Sequence, residues 1–230
     1  MHRFHQNEEI SVGSTIELDG QQAHQINRVL RTKVGDKLVV FNTTDYLCEI
    51  TGISKKSATL KVLEPIENKA ERPIKVHLYQ ALPNRWPKFE EVLKKGTEMG
   101  VASFHPVKMH RSETTKLQKE ERLHHIIVEA CEQCGGSHLP PISGPVDFKE
   151  AVKEAPGLKI MAYEGEPTRK LSDIDIPDEI SIFIGPEGGI TPEEAEFFEE
   201  QGGYCFHLGK RILRTETAPV AILGAVFFGL

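Results

Sequence analysis

Two short glycine-containing segments near the end of the chain carry residue types that could hold a ligand and act on it. The first, residues 184–190, reads IGPEGGI, and three glycines within five positions would let a ligand approach the backbone closely. The segment matches neither the phosphate-loop pattern GxxxxGKS/T nor the dinucleotide pattern GxGxxG. It therefore favours a cradle for a different, nucleoside-like ligand, although a tight turn leading into a helix explains it equally well on its own.

The second segment, residues 207–218, reads HLGKRILRTETA. It places three cations, Lys210, Arg211 and Arg214, and the carboxylate of Glu216 close to Gly209. So many charges of both signs in one short stretch are typical of a loop that contacts a substrate. A charged surface loop is the alternative.

Both segments lie between a strand and a helix, which would fix their positions. Residues 180–184 and 204–208 are predicted strands, and the apolar run 218–230 predicts a buried final helix. Thr191 is a good N-cap, with Pro192 at the first helical position and Glu194 completing a capping box. Because ligands bind at the carboxyl ends of strands in α/β sheets, both segments occupy binding positions.

The elements before these segments alternate in type. Predicted strands cover residues 74–81, 101–107 and 158–163, and predicted helices run from Pro87 to Gly100 and over residues 120–134. Strand–helix alternation indicates an α/β fold with a mainly parallel sheet.

The first seventy residues have a different pattern. Short strands are predicted at residues 14–18, 38–41, 46–53 and 58–63, with one helix over residues 21–30, which suggests a small β-barrel. A polar stretch ending at Pro73 then marks a boundary, so the predicted domains are residues 1–72 and 73–230.

The net charge of −6 is unevenly distributed along the chain. Residues 164–200 contain twelve acidic and two basic residues, which leaves a net charge of +4 on the remainder. RNA could meet the basic clusters while the acidic stretch faces away, although each cluster alone reads as solvated surface. The clusters are Arg28, Arg31 and Lys33; Lys108, Arg111 and Lys116; and Lys210, Arg211 and Arg214.

Two further features bear on compartment and class. No stretch approaches the ~20 apolar residues of a membrane helix, and the first ten residues are too polar for a signal peptide. Four cysteines at irregular spacing give no disulfide framework. We therefore expect a cytoplasmic protein with no membrane association.

The Cys131-x-x-Cys134 pair with His138 invites a zinc or redox interpretation. A structural zinc site needs about four ligands, and Cys48 and Cys205 are distant in sequence. A redox pair would begin a helix, whereas this pair ends one. We therefore expect no metal.

Taken together, the motifs resemble a known family. GPEGG, followed about twenty residues later by LGxxILRxETA and an apolar terminal helix, is similar to the SPOUT methyltransferases. The whole chain resembles the RsmE family of ribosomal RNA uridine-N3 methyltransferases, through MHRF at residues 1–4, HQINRVLR at 24–31, KGTEMGV at 95–101, Arg111-Ser112 and ACEQCG at 130–135. Gly136 stands where that family usually has arginine.

The resemblance implies a fold, a reaction and partners. The fold would be a SPOUT domain with a trefoil knot in roughly residues 160–230, preceded by a PUA-like barrel. The reaction would be S-adenosylmethionine-dependent methylation of N3 of one uridine in bacterial 16S ribosomal RNA, either naked or in the assembled small subunit. A homodimer is also implied. The alternatives are a SPOUT enzyme acting on another base or on transfer RNA, and a non-catalytic RNA-binding assembly factor.

The resemblance also implies roles for particular residues. Arg214 would stabilise the uridine anion, while Glu216 would accept the proton or organise Arg214. Gln133 is argued from its own position instead: it lies close to the apolar stripe of its helix, where a polar group needs a partner. We expect it at a dimer or substrate surface, with a satisfied buried amide as the alternative. With Arg3, Arg28, Arg31 and Arg111 it completes the RNA-binding set. The cofactor would be held by Ile184, Gly185, Pro186, Glu187, Gly188, Gly189, Leu208, Gly209, Ile212, Leu213 and Thr217.

Overall fold

The computed structural model describes residues 1–229. The chain divides into two compact units. The first unit contains Met1–Glu71 together with Cys131–His138, and the second contains Arg72–Ala130 and Leu139–Leu230. The segment Cys131–His138 therefore belongs to the first unit although it lies sixty residues farther along the chain.

The first unit is built on five strands, β1 (Arg3–His5), β2 (Thr15–Asp19), β3 (Lys37–Phe41), β4 (Asp45–Ile53) and β5 (Ser57–Ile66). Their order in the sheet is β1-β3-β4-β5-β2, with β1 parallel to β3 and the other neighbours antiparallel. In β2, Ile16 and Leu18 are buried while the residues between them are exposed, the period-two pattern of a strand with one core face. The four strands predicted here are confirmed; the three-residue β1 was too short to predict.

The helix predicted over residues 21–30 is only partly regular. It begins as α1 (Gly20–His24) and continues as a π-helical turn, Gln25–Val29. The amide and hydroxyl of Thr32 both bond the carbonyl of Ile26, at 3.2 and 3.0 Å, which ends the helix. Arg31, just before Thr32, has a left-handed φ of 53°.

The second unit contains a sheet of six strands, all of them parallel, where the alternating pattern predicted a mainly parallel sheet and did not predict the two-residue strand Val146–Asp147. Its strands are β6 (Lys75–Ala81), β7 (Ser103–Lys108), β8 (Val146–Asp147), β9 (Leu158–Ala162), β10 (Glu179–Ile184) and β11 (Tyr204–Phe206). The order across the sheet is β11-β9-β10-β6-β7-β8.

Five helices accompany this sheet: α2 (Trp86–Met99), α3 (Glu120–Cys134), α4 (Phe148–Glu154), α5 (Pro192–Glu200) and α6 (Ala218–Phe228). Gly100 ends α2 in a left-handed conformation, and α5 begins with the predicted capping box of Thr191 and Glu194. Short α4, capped by the side chain of Asp147, was not predicted. Within residues 1–229, no helix is both long enough and apolar enough to cross a bilayer.

Candidate active site

The carboxyl ends of three neighbouring strands meet at one edge of the parallel sheet. Ala162 of β9 pairs with Ile184 of β10 on one side and with Phe206 of β11 on the other. The loops that follow these strands enclose a cleft of about 900 Å³. It is lined by Lys88, Ala162, Tyr163, Glu164, Glu166, Pro167, residues 184–190, residues 207–215 and Ala218.

The cleft brings together most of the residues predicted to carry the chemistry. Every predicted cofactor residue except Thr217 lines it, as does Arg214. Glu216 is not among the lining residues. The loop after β9, which contributes Tyr163 and Glu164, was missed because the sequence did not reveal that β9 lies between β10 and β11.

The conformation of the first loop, residues 185–190, depends on its glycines. The amide of Gly189 donates to the carbonyl of Pro186 at 3.0 Å, and Gly189 has a left-handed φ of 76°. A Cβ on Gly185 would lie 2.6 Å from Cγ1 of Ile190, and a Cβ on Gly189 would overlap the carboxylate of Glu164. A Cβ on Gly185 would displace the buried side chain of Ile190, so packing requires glycine there. At Gly189 the left-handed φ favours glycine, because the exposed Glu164 side chain could move aside.

A buried threonine joins the two predicted loops. The Thr215 hydroxyl donates to the carbonyl of Gly185 at 2.8 Å and accepts from Nε2 of Gln80 at 2.8 Å. Both side chains are almost fully buried. Neither residue was predicted as part of the site, because the link depends on Gln80, which is 135 residues before Thr215.

The carboxylate of Glu187 contacts the start of α2. It accepts a hydrogen bond from Nζ of Lys88 at 2.9 Å and from the amide of Asn84 at 3.2 Å. Burial opposes ionisation, but these donors outweigh it and lower the pKa of Glu187 below its usual value. The side chain is therefore an anion held by α2, while the backbone of its loop faces the cleft.

Glu216 lies between two cations. Its Oε2 is 3.8 Å from Nζ of Lys88, and its Oε1 is 4.0 Å from a terminal nitrogen of Arg214. The Glu216 side chain is 12% exposed and that of Arg214 is 81% exposed. The predicted pair is thus adjacent, with the carboxylate sheltered and the guanidinium presented to solvent.

Arg111 contacts the first loop directly. Its guanidinium donates to the carbonyl of Gly188 at 3.0 Å. The neighbouring amide of His110 donates to Glu194 at 2.7 Å, so the α5 capping carboxylate also holds this segment. Arg111 is nonetheless exposed.

Comparison with known families accounts for this arrangement. A family model described as an RNA methyltransferase domain matches residues 70–227, and a model described as an RNA methyltransferase PUA domain matches residues 18–63. The chain belongs to the RNA methyltransferase family. The α/β methyltransferase domain and the PUA-like N-terminal domain predicted from the sequence are therefore confirmed.

Individual relatives are similar to this chain over nearly its whole length. The ribosomal RNA small subunit methyltransferase E of Bacillus subtilis is 31% identical, over 96% of this chain and 93% of its own length. The Neisseria gonorrhoeae protein of the same name, solved with bound S-adenosyl methionine, is 31% identical with a TM-score of 0.86, covering 98% of this chain and 96% of its own. A Legionella pneumophila structure containing the cofactor SAM is 30% identical with a TM-score of 0.87, covering 99% and 97%.

The RNA-contacting residues predicted for this methyltransferase differ in exposure. Arg3 is internal: it forms two hydrogen bonds to Asp45, at 2.6 and 2.8 Å, and one to Ser137 at 2.8 Å. It also bonds the carbonyl of Gly136 and lies 4.9 Å from the ring centroid of Phe41. The Arg3 side chain is 13% exposed and is held by these contacts within the first unit.

Arg28, Arg31 and Gln133 are exposed. The alternative of a satisfied buried amide for Gln133 is therefore wrong.

The Cys131-x-x-Cys134 segment has one buried, hydrogen-bonded thiol, that of Cys131. The Cys131 thiol donates to the carbonyl of His138 at 3.4 Å, and burial raises the pKa of Cys131 to about 12. Such a thiol stays protonated at neutral pH and is a poor nucleophile and metal ligand. Among residues 1–229, no three His, Cys, Asp or Glu side chains are grouped so as to hold a metal ion.

Proposed function

We propose that this methyltransferase uses S-adenosylmethionine to methylate N3 of a specific uridine in 16S ribosomal RNA of the small subunit. One observation carries the proposal: residues 184–190 and 207–215 line a single cleft at the carboxyl ends of β9, β10 and β11. The names of the relatives point to small-subunit ribosomal RNA, and the Neisseria protein has this fold with S-adenosyl methionine bound.

The cleft fits the proposed cofactor. Its volume of about 900 Å³ lies within the range of ligand pockets, roughly 300–1,000 Å³. Its lining combines close-approach glycines with the apolar side chains of Leu208 and Leu213, which suits a nucleoside that carries an aliphatic sulfonium chain. S-adenosylmethionine supplies a methyl group that its sulfonium makes electrophilic. The cleft would hold that methyl in line with its acceptor, and such positioning accounts for much of the acceleration in two-substrate reactions.

The target nitrogen needs further help from the protein. N3 of neutral uridine carries a proton, so negative charge develops on the uracil as that proton leaves. We assign Arg214 to this charge, because it lines the cleft and its guanidinium is exposed toward a substrate. Glu216 was predicted as proton acceptor or as organiser of Arg214; its position outside the lining favours the organising role.

For RNA contact we propose Arg28 and Arg31 in the first unit, with Gln133 as a polar surface contact. Phosphate contacts of this kind position an RNA without reading its sequence. Arg111 would serve both the RNA and the first loop, given its bond to Gly188. We assign Arg3 to the packing of the first unit instead, because its terminal nitrogens bond Asp45 and Ser137.

We further propose that the protein is a homodimer and that roughly residues 160–230 form a trefoil knot. We also propose that the enzyme acts in the cytoplasm, because ribosomal RNA is found there. Ile212, 86% exposed, and Phe228, 52% exposed, are the kind of apolar surface that a second copy would cover. Light scattering tests the dimer: a mass of 25.8 kDa across micromolar concentrations would contradict it.

Two measurements test the function. Calorimetry should detect S-adenosylmethionine binding without added metal; no binding at millimolar cofactor would refute the enzyme. Mass mapping of ribosomal RNA from a deletion strain should show loss of one N3-methyluridine from the small subunit. Loss of a methyl group from another base or from transfer RNA would support the broader SPOUT alternative instead, and an unchanged methylation map would favour a non-catalytic assembly factor.

A further inference from the structure

Lys88 is a cation in the cleft that belongs to neither glycine-containing loop. It lies in the first turn of α2, where the positive end of the helix dipole opposes a cation, and this turn contains no acidic side chain. Its position therefore does not serve the stability of the helix. Two carboxylates form ion pairs with it: Glu187 belongs to the first cleft loop, and Glu216 directly follows the second.

The contacts of Lys88 leave part of its ammonium group unused. An ammonium has three N–H donors. One bonds Glu187 at 2.9 Å, whereas Glu216 lies at 3.8 Å, beyond hydrogen-bond range. The side chain is 24% exposed and lines the cleft. Lys88 is thus fixed by carboxylates on one side and keeps donors for a ligand on the other.

The carboxylate of Glu216 lies between the side chains of Lys88 and Arg214. One carboxylate oxygen is next to Lys88 and the other is next to Arg214. The two cations therefore flank a single carboxylate. A uridine anion carries its charge mainly on N3 and on the two carbonyl oxygens at either side of N3, so it offers two acceptors to two donors.

Given the proposed function, we propose that Lys88 is a second catalytic cation, which donates to one carbonyl oxygen of the target uracil while Arg214 donates to the other. As the N3–H bond breaks, the proton passes to water in the cleft. The N3 electron pair forms the bond to the methyl carbon, the carbon–sulfur bond breaks, and sulfur keeps that electron pair and loses its positive charge. Fixed donors are effective here because they need no reorganisation when charge develops.

The test compares Lys88→Met with Lys94→Met, which removes the same charge from an exposed position of α2. We expect Lys88→Met to lower single-turnover methyl transfer at saturating RNA and cofactor at least about tenfold, as loss of a charge-stabilising donor does. Its affinity for S-adenosylmethionine should stay within about twofold of the parent value, since the amide of Asn84 still bonds Glu187 and keeps the first loop in place. Lys94→Met should change neither quantity, and Lys88→Arg should recover part of the rate.

A second substrate separates charge stabilisation from a merely structural effect. In RNA transcribed with 5-fluorouridine, the fluorine makes N3–H more acidic, so the uridine anion needs less stabilisation. The defect of Lys88→Met should therefore shrink to less than about threefold on this RNA, because less charge is left for the donor to stabilise. A structural defect would be the same on both RNAs.

The possible failures are distinguishable. An equal loss on both RNAs, or a loss of cofactor affinity with full turnover at saturation, would overturn the proposal and leave Lys88 as a clamp for Glu187. Neither result would affect the proposed function. If the parent protein binds the cofactor but transfers no methyl group to small-subunit RNA, the proposed function fails, and the role of Lys88 fails with it.

Discussion

The two loops that line the cleft are held in different ways. Residues 185–190 are packed against side chains from other elements: Arg111 bonds Gly188, and Glu164 occupies the space beside Gly189. Residues 209–212 of the second loop are all exposed. This loop is anchored mainly at its end, where Thr215 bonds Gln80 and Gly185.

This difference suggests a division of labour. A loop whose glycines are enclosed by neighbours offers its backbone in one fixed shape, as a cofactor cradle needs. A loop that is exposed over four residues and anchored at one end can present charged side chains to a large substrate such as RNA. Arg214 lies between the exposed residues 209–212 and the anchor at Thr215. Its side chain can therefore extend to an RNA substrate, while its backbone is held next to the anchor.

The largest expected effect is that of Arg214→Ala. If Arg214 stabilises charge in the transition state, single-turnover methyl transfer should fall roughly a hundredfold or more. Cofactor and RNA affinities should remain close to those of the parent. Arg211→Ala removes another exposed cation from the same loop and should cost much less. Full turnover of Arg214→Ala at saturating RNA, with affinity alone reduced, would make Arg214 a phosphate clamp.

The anchor of the second loop can be removed with little change in shape. Thr215→Val deletes the hydroxyl that bonds Gly185 and Gln80. Two lost bonds in a buried site should reduce stability by roughly 1–3 kcal/mol and cofactor affinity by about tenfold. Thermal unfolding and calorimetry measure both quantities. Thr215→Ser keeps the hydroxyl and should behave almost as the parent; an equal loss in both variants would assign the effect to packing.

A matched pair of glycines tests the contrast between the loops directly. Gly189 and Gly209 both have left-handed φ values, of 76° and 93°. A Cβ at position 189 would overlap Glu164, whereas at position 209 it would meet nothing within 4 Å. Gly209→Ala should cost only the backbone strain, about 1–2 kcal/mol. Gly189→Ala should cost a similar amount of stability, because the exposed Glu164 side chain can move aside, but it should weaken cofactor binding more than Gly209→Ala does. Equal losses of cofactor affinity in the two variants would refute the contrast.

The sequence predicted the elements of the second unit better than their arrangement. Local signals were sufficient for the Thr191 capping box and the Gly100 helix end, because each depends on residues within a few positions. The sheet order was not readable, so the loop after β9 and its Glu164 were missed. Lys88 was missed for the same reason, since its two carboxylate neighbours follow it by about a hundred residues or more.

Arg3 shows that a residue's role cannot be inferred from its motif alone. Its position in the basic start of the chain favoured phosphate binding. The structure pairs it with Asp45, 42 residues later, and with Ser137, which comes 134 residues later. No local pattern identifies such partners, and a largely buried cation needs them, because its charge must be compensated.

The smallest expected effect concerns exposed arginines outside the cleft, which serve as a reference for Arg214. Arg28 and Arg31 are exposed in the first unit, so Arg28→Ala and Arg31→Ala should weaken RNA binding without changing cofactor affinity. Each lost phosphate contact removes counterion release, so the slope of log affinity against log salt should flatten by about one unit or less. Turnover at saturating RNA should be retained, unlike that of Arg214→Ala. Filter binding across a salt series, beside single-turnover transfer of labelled methyl, measures both quantities.

Lys55→Ala removes an exposed cation from the turn between β4 and β5 and controls for general charge. If Lys55→Ala flattened the slope as much as the arginine variants, RNA would bind the first unit through its overall charge, and the contact assigned to Arg28 and Arg31 would be wrong.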